Sequence, residues 1–274
     1  MAEAFTINGV SLDTYAYMLT DISGTMSTPP RRGSNATVPG RHGAIRTPKR
    51  FDVSEVVLPL WVNGALPDGS VPVGSTAARQ FFTNRDALLK LLQAPTLLLA
   101  YTRPDGTSRS AYAESAEVLE FARIGAGPEA KVSVALTLYE GFWFDTLAVS
   151  QIVTGTTGTI QPLTAFDGAT APMADLTLTF GPCNNPQINI GGSFVKYNGV
   201  IAAGRQLVIN AGNWTVNSGT GAAWTPDLRQ IEFGPGPRWF ELDPTVTPFE
   251  VEFVHTGGGT ATCTINGRRR YLAP

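Results

Sequence analysis

Only one stretch of this chain has the periodicity of an amphipathic helix, and most of the remainder consists of short segments between turn signals. The helical stretch begins after Ser75 or Thr76, either of which can act as its N-cap, and ends near Gln93. Its apolar stripe, predicted to pack on a sheet, consists of Ala78, Phe81, Phe82, Leu88, Leu89 and Leu92. One helix among many strands predicts a mostly β fold.

Strand-like segments flank this helix in the first half of the chain. Residues 53–62 and 131–140 carry aliphatic side chains at alternate positions, which predicts strands with one buried face. The second of these segments leads into the aromatic cluster Phe142, Trp143 and Phe144. Because the composition shifts after this cluster, we predict an α+β N-terminal domain with one helix over residues 1–147.

The second half of the chain reads as short strands separated by turns such as Asn198-Gly199 and Asn266-Gly267. Many short strands at this spacing are typical of an antiparallel sandwich or jelly roll, which we place at residues 148–274. The strand-like segments are residues 174–180, 187–190, 194–197, 206–210, 229–233, 249–255 and 260–265.

Residues 20–50 have no periodicity and carry an excess of positive charge. Loops this long are uncommon in compact domains and are usually functional or disordered. We interpret the segment as an extended basic arm or a long hairpin, with a solvated loop as the alternative. Its charged residues are Arg31, Arg32, Arg41, Arg46, Lys49 and Arg50, against the single acid Asp21.

Charge is sparse over the chain as a whole. Only 15% of the residues are charged, against about 25% in a typical soluble domain. Partners that cover part of the surface would explain this, and so would a merely Thr- and Gly-rich β protein. The net charge of −2 provides no global field toward nucleic acid or an anionic membrane.

Targeting and membrane signals are not found in this sequence. The first residues do not combine a basic segment with an apolar run, so no secretory signal is expected. The longest apolar runs are far shorter than the roughly 20 residues that span a bilayer. We therefore expect cytoplasmic synthesis and no membrane insertion.

The sequence also lacks recognisable catalytic machinery. It has no phosphate-binding loop, dinucleotide fingerprint, zinc-protease helix or serine-hydrolase elbow. Cys183 and Cys263 have no metal-site spacing, and we expect both at core positions. His255 alternates with apolar residues, so we expect it in the core or on a sheet face. The sequence indicates no cofactor and no metal, and it argues against an enzyme, a glycan hydrolase included.

Three tryptophans in the second half allow a different function. Trp214, Trp224 and Trp239 lie in the predicted sandwich, and exposed aromatic faces can hold sugars. The same residues could equally fill the sandwich core. A carbohydrate-binding module for adsorption to a host cell wall is therefore the alternative function.

The order of these segments resembles that of phage distal tail proteins over nearly the whole chain. In the first half the resemblance rests on an N-terminal strand with Ile7, Asn8, Gly9 and Val10, the arm sequence from Val38 to Gly43, the strand at residues 56–62, one helix, and Phe142 to Phe144. In the second half it rests on Asn189 to Ser193, Phe194 to Tyr197, Ala203-Gly204 and Trp239 to Leu242. The resemblance implies a C-terminal galectin-like antiparallel β-sandwich.

The resemblance also implies a function. Members of that family form a homo-hexameric ring at the tip of a long non-contractile tail, joining the tail-tube protein to the tail-tip hub protein. DNA passes through the lumen of the ring, and the protein is part of the virion, assembled in the host cytoplasm. The arm matches a belt-like hairpin that packs on the neighbouring subunit, which makes Val38, Pro39, Arg41 and Ile45 the candidate interface residues.

Overall fold

The computed structural model describes residues 3–37, 44–45, 49–115, 120–155, 159–190, 192–221, 223–235, 240–246, 248–257 and 259–274. Over these residues the chain is mostly β, with antiparallel pairing throughout and a single α-helix. The predicted fold class is thereby confirmed. No helix in this part of the chain is long and apolar enough to cross a membrane.

The chain forms two compact units, each with its own core. The first contains residues 1–146 together with 271–274, and the second contains residues 147–270. The predicted boundary at 147/148 lies next to this division. The last four residues, however, group with the first unit, because Tyr271 is buried in its core.

The first unit is built on one curved sheet, and a two-stranded hairpin extends from it. Sheet neighbours follow the order β2-β1-β9-β10-β12-β8-β3, with β11 on β12 and β13 on β10. The strands are β1 (Ala4–Ile7), β2 (Val10–Ser11), β3 (Tyr17–Leu19), β4 (Arg31–Arg32), β5 (Ala36–Thr37), β6 (Ala44–Ile45), β7 (Arg50–Phe51), β8 (Ser54–Asn63), β9 (Leu97–Thr102), β10 (Ser108–Ser115), β11 (Ala122–Arg123), β12 (Glu129–Leu138) and β13 (Trp143–Asp145).

Leu12 joins the two edges of this sheet. Its N–H donates to the carbonyl oxygen of Phe5 on β1, at 2.9 Å, and its own carbonyl accepts from the N–H of Leu19 on β3, at 2.8 Å. The sheet therefore closes on itself and leaves a buried inner face and an outer face. The inner face carries the alternating side chains Val56, Leu58, Leu60 and Val62 of β8 together with Val132, Val134 and Leu136 of β12.

The helix α1 (Ala77–Leu92) packs against β8. Thr76 is its N-cap, because the Thr76 hydroxyl accepts a hydrogen bond from the N–H of Arg79. The buried face consists of Gln80, Phe81, Asn84, Leu88 and Leu92. The predicted bounds were nearly correct, but Ala78 and Phe82 of the predicted stripe are exposed, because the buried face is rotated toward Gln80 and Asn84.

The second unit is a sandwich of two antiparallel sheets, with neighbours in the orders β14-β25-β16-β20-β21-β22 and β15-β24-β17-β18-β23 and with β19 on β17. Its strands are β14 (Val149–Gly155), β15 (Ile160–Pro162), β16 (Thr177–Phe180), β17 (Cys183–Ile190), β18 (Ser193–Tyr197), β19 (Val200–Ile201), β20 (Gln206–Asn210), β21 (Thr215–Thr220), β22 (Ala223–Pro226), β23 (Ile231–Phe233), β24 (Glu250–Thr256) and β25 (Ala261–Gly267), and β26 (Arg270–Tyr271) ends the chain.

Both sheets supply side chains to one core in this unit. Leu178, Ile209 and Ile265 come from the first sheet, and Ile188 and Val251 come from the second. Alternate residues on each strand face this layer, as expected for sheets that pack face to face. The second unit therefore has the predicted sandwich architecture.

Candidate assembly surface

The basic segment forms a two-stranded hairpin in its described parts. β4 pairs with β7, with Arg31 opposite Phe51, and further along β5 pairs with β6, with Ala36 opposite Ile45. Residues 31–35 and 49–50 are exposed, so this part of the hairpin contributes nothing to the core of its own unit. Of the two forms predicted for residues 20–50, the structure has the hairpin, but only over residues 31–51, which we call the arm. Residues 23–25 instead form a 3-10 turn that contacts β8, with Thr25 buried.

The root of the arm is fixed to the first unit by side-chain packing and backbone contacts. The Phe51 and Phe142 rings meet edge to face, with centroids 5.4 Å apart. The N–H of Asp52 donates to the carbonyl oxygen of Pro30 at 2.8 Å. Gly141 has a φ of +72°, and a Cβ at this position would lie 2.5 Å from the Asp52 carbonyl oxygen. The aromatic cluster noted in the sequence is thus where the arm departs from the sheet.

Positive charges at the root are only partly neutralised. Arg31 lies over the Phe51 ring at 4.8 Å, and Arg32 is 4.0 Å from the carboxylate of Asp52. Arg32 is also directly opposite Arg50 in the β4–β7 register. Like charges at facing positions of paired strands are destabilising, so a carboxylate from outside the arm would stabilise this arrangement.

The candidate interface residues can be placed only in part. Ile45 belongs to β6, and its side chain is outside the described atoms. Val38, Pro39 and Arg41 lie outside the described residues. Their role in an interface therefore stays a prediction.

The tryptophans of the alternative function are exposed but far apart. Trp214 is 68% exposed and Trp224 is 40% exposed. Trp214 directly precedes β21, whereas Trp224 pairs with Gly219 near the other end of that strand. Five residues of strand separate them by about 16 Å, so they do not form one stacking platform for a single sugar ring. Trp239 lies outside the described residues.

The two cysteines and His255 behave as structural residues. Burial raises the pKa of the Cys183 thiol to about 11, and burial also raises the pKa of the Cys263 thiol well above its usual range. Thiols that keep their protons are poor metal ligands and poor nucleophiles. His255 Nε2 lies 3.2 Å from the carbonyl oxygen of Gly155. No group of metal-ligating side chains capable of holding an ion occurs within the described ranges.

A cleft in the second unit was not predicted from the sequence. It has a volume of about 330 Å³ and is lined by apolar side chains, including Phe194 and Phe249, and by Asp243 and Glu250. Its residues come from the β17–β18 hairpin and, about 50 residues further along the chain, from β24 and the segment that precedes it. No local motif could have revealed it.

No family model and no curated protein matches this chain. Among solved structures, the chain matches the Dit (gp 19.1) protein of phage SPP1 with a TM-score of 0.67 at 13% identity. The match covers 98% of this chain and 99% of that one. SPP1 Dit is described as a paradigm of the hub adsorption apparatus in phages that infect Gram-positive bacteria. Two structures of the phage p2 baseplate in its activated conformation, with Sr and with Ca, match at TM-scores of 0.48 and 0.46, each at 8% identity over 97% of this chain and 98% of theirs. The chain therefore has the fold of SPP1 Dit along its whole length, as its resemblance to phage distal tail proteins predicted.

Proposed function

We propose that this chain is a structural protein of a phage tail tip that assembles into a ring through its arm. The ring contains six copies, joins the tail-tube protein to the tail-tip hub protein in the virion, and lets DNA pass through its lumen. The observation that carries this proposal is an exposed basic hairpin on a closed sheet, in a chain with the fold of SPP1 Dit. The protein acts by assembly and not by turnover.

The arm supports this proposal because its described residues 31–35 and 49–50 are exposed and are not packed in the core of their own unit. A two-stranded hairpin is marginally stable in water without a third strand or a packing partner. These exposed residues carry the positive charges of Arg31, Arg32, Lys49 and Arg50. A neighbouring subunit would supply the packing surface that the arm lacks.

Ring closure follows from the geometry of such a contact. An arm that lies on a different surface of the next subunit makes a heterologous interface, and heterologous interfaces with a suitable rotation close into rings. Every subunit then donates one arm and receives another. The sparse charge of the chain, 15% of its residues, agrees with large covered surfaces.

The test removes the arm and keeps its root. In the variant, residues 33–49 are replaced by a short Gly-rich turn, while Arg32, Arg50, Phe51 and Asp52 remain. We expect the wild-type chain at micromolar concentration to form a species of six times 29.1 kDa, about 175 kDa, by light scattering. The variant should be a folded monomer with an unchanged circular dichroism spectrum. A wild-type chain that remains monomeric, or a variant that still forms the large species, contradicts arm-mediated assembly.

The carbohydrate-binding function has one observation in its favour, which is the exposure of Trp214 and Trp224. A Trp214→Ala/Trp224→Ala variant keeps the arm and serves as the control for the deletion. If this variant loses binding in a cell-wall pulldown while the arm deletion keeps it, the second unit binds glycan. If wild-type protein is not retained by the cell wall, the glycan function is wrong.

A further inference from the structure

The outer face of the first sheet is unusually apolar for a surface exposed to water. Val57 of β8 is 40% exposed, Leu98 of β9 is 38% exposed, and Tyr139, which directly follows β12, is 43% exposed. Tyr112 of β10 faces the same side, because it pairs with Leu98 in the antiparallel register. Contiguous apolar patches on a soluble protein usually mark an interaction site.

Two of these aromatic side chains form a preorganised platform. The rings of Tyr112 and Tyr139 are stacked, with centroids 6.4 Å apart and planes only 10° from parallel. The Phe144 ring supports Tyr112 from the side, at a centroid distance of 5.0 Å. Such a platform offers π faces to a cationic or planar group without the cost of ordering the rings.

Two carboxylates lie in one row beside this platform. Glu114 of β10 pairs with Thr137 of β12, and Thr137 in turn pairs with Glu55 of β8. The two glutamates are therefore two strand spacings apart, about 10 Å, on the same face. Both side chains are exposed, and neither makes a hydrogen bond or an ion pair within the part of the chain that the structure describes.

Negative charge reaches the platform itself. Burial raises the pKa of the Tyr139 hydroxyl, and the nearby Glu140, Tyr112 and Glu114 side chains raise it further. These contributions put two carboxylates within electrostatic range of the Tyr139 ring. We call Glu55, Val57, Leu98, Tyr112, Glu114 and Tyr139 together the acceptor face.

The arm has complementary chemistry. From Ile22 to Phe51 the sequence contains six Arg and Lys residues and no acid. Arg32 and Arg50 face each other across β4 and β7, and the carboxylate of Asp52, 4.0 Å from Arg32, neutralises only one of these two charges. Guanidinium groups stack on aromatic faces and bind carboxylates through two parallel hydrogen bonds, and the acceptor face offers both kinds of partner.

We propose that the acceptor face is the surface on which the basic arm of a second copy of this chain lies. The inference rests on the proposed ring, since it identifies the receiving half of the same contact. Arg32 and Arg50 of the arm pair with Glu55 and Glu114, and the rings of Tyr112 and Tyr139 provide stacking faces for guanidinium groups.

Charge reversal with rescue tests this pairing. The Glu55→Arg/Glu114→Arg variant should need at least about tenfold more protein to assemble, because it loses charge-assisted hydrogen bonds and gains repulsion. The Arg32→Glu/Arg50→Glu variant should show a similar loss. The chain that carries all four changes should recover assembly, which no purely structural defect would produce. Glu120→Arg is the matched control, because Glu120 is exposed and precedes β11, which pairs with the opposite end of β12.

Cross-linking with isotope mixing tests whether the contact is between chains. Chains with a photoreactive residue in place of Val57 and otherwise wild-type sequence are prepared in ¹⁴N- and in ¹⁵N-labelled form and mixed. Cross-links from position 57 to residues 31–51 should then join a ¹⁴N chain to a ¹⁵N chain. Cross-links confined to one chain overturn the proposal, because the arm would then lie on its own face.

The outcomes separate this proposal from the proposed function. Rings that form normally with the Glu55→Arg/Glu114→Arg chain overturn the acceptor face and leave the ring intact. If the rings of this variant form normally but no longer bind the tail-tube or hub protein, the face is a docking surface for that protein. This result also overturns the proposal that the face receives the arm. Failure of the four-change chain to assemble overturns the pairing. A wild-type chain that does not assemble refutes the ring and this contact together.

Discussion

Asn84 anchors the helix through hydrogen bonds that its apolar neighbours cannot make. Its side-chain amide donates to the carbonyl oxygens of Asn63 and Ala65, each at 2.7 Å, and its side-chain oxygen accepts from Gln80 at 2.8 Å. The hydroxyl of Tyr17 donates to the Asn84 backbone carbonyl at 2.8 Å. Four groups are thereby satisfied at the edge of the buried face of the helix, where Asn84 and Gln80 are themselves buried.

The Asn84→Leu variant should therefore be strongly destabilised. It takes the side-chain hydrogen-bond partner away from two partly buried carbonyl oxygens and from the buried Gln80 amide, and we expect the free energy of unfolding of the first unit to fall by about 2 kcal/mol. Urea denaturation followed by a probe in the first unit measures the change. Thr83→Ala, at the exposed neighbouring position, should change it by less than about 0.5 kcal/mol. Equal effects for the two variants would show that these hydrogen bonds add little.

Tyr197 makes the stability of the second unit sensitive to alkaline pH. Burial, together with the Asp227 carboxylate that accepts a hydrogen bond from this hydroxyl at 2.6 Å, raises the pKa of the hydroxyl to about 12. The folded chain thus holds this proton more tightly than the unfolded chain, whose tyrosine has a pKa of about 10. The resulting stabilisation is complete below about pH 10 and is lost as the pH rises toward 12.

The corresponding prediction compares the pH dependence of two variants. Between about pH 10 and 12 the wild-type unfolding free energy should fall by about 2 kcal/mol more than that of Tyr197→Phe. Urea denaturation of the second unit at several pH values gives both curves. Tyr15→Phe, which changes an exposed tyrosine, should follow the wild-type curve. Parallel curves for wild type and Tyr197→Phe would contradict the assignment.

At the scale of elements, the helix depends on one of two neighbouring hydroxyls. The sequence permits Ser75 or Thr76 as the N-cap, and in the structure the Thr76 side chain caps the helix, whereas the Ser75 hydroxyl points at the Thr76 carbonyl at a long 3.5 Å. We expect Thr76→Ala to cost about 1 kcal/mol in the first unit and Ser75→Ala to cost less than about 0.5 kcal/mol. Chemical denaturation of the two variants decides between the hydroxyls, and a larger cost for Ser75→Ala would reverse the assignment.

Strands with a clear alternation of apolar and polar residues could be predicted from the sequence. Strands that depend on pairing with neighbouring strands could not. In the strand β8, buried and more exposed side chains alternate over the whole length, and most of the buried ones are aliphatic. The sequence pattern alone therefore predicts this strand. By contrast, β21 and β22 were missed, because Ser218, Gly219 and Thr220 carry no apolar alternation. β21 exists because it pairs with β20 and because a glycine at position 219 allows the Ala223 carbonyl to approach closely.

The arm and its proposed acceptor face were predictable to different degrees. Six basic residues against a single acid over residues 20–50 indicate an unusual surface segment, and the hairpin is one of the two forms that the sequence predicts for it. The acceptor face combines residues of β8, β9, β10 and β12, and only the sheet register brings Glu55 and Glu114 into one row. Nothing in the sequence around Glu114 distinguishes it from an ordinary solvent-exposed strand residue.

At the scale of the whole molecule, the last residues of the chain complete the first unit. The Tyr271 ring is buried, its hydroxyl donates to the Asp145 carboxylate at 2.9 Å, and the Arg109 guanidinium lies 3.4 Å above the ring. Arg109 and Arg103 also donate to the carbonyl oxygens of Ala273 and Pro274. A domain boundary predicted from the change in composition does not assign residues 271–274 to the first unit, because four residues are too few to alter the composition.

Tyr271→Ala should therefore destabilise the first unit although it lies at the end of the second. Loss of a buried aromatic ring costs about 3–5 kcal/mol, and here the Arg109 guanidinium also loses its stacking surface. Hydrogen exchange should show increased opening of β9 and β10 in the first unit and unchanged protection of β17 and β24 in the second. Tyr271→Phe keeps the ring and removes the hydroxyl that donates to Asp145, so it should cost about 1 kcal/mol. For the same reason, a fragment of residues 1–147 should be less stable than the same unit within the full chain. If hydrogen exchange shows equal protection of β9 and β10 in the fragment and in the full chain, residues 271–274 are dispensable for this core.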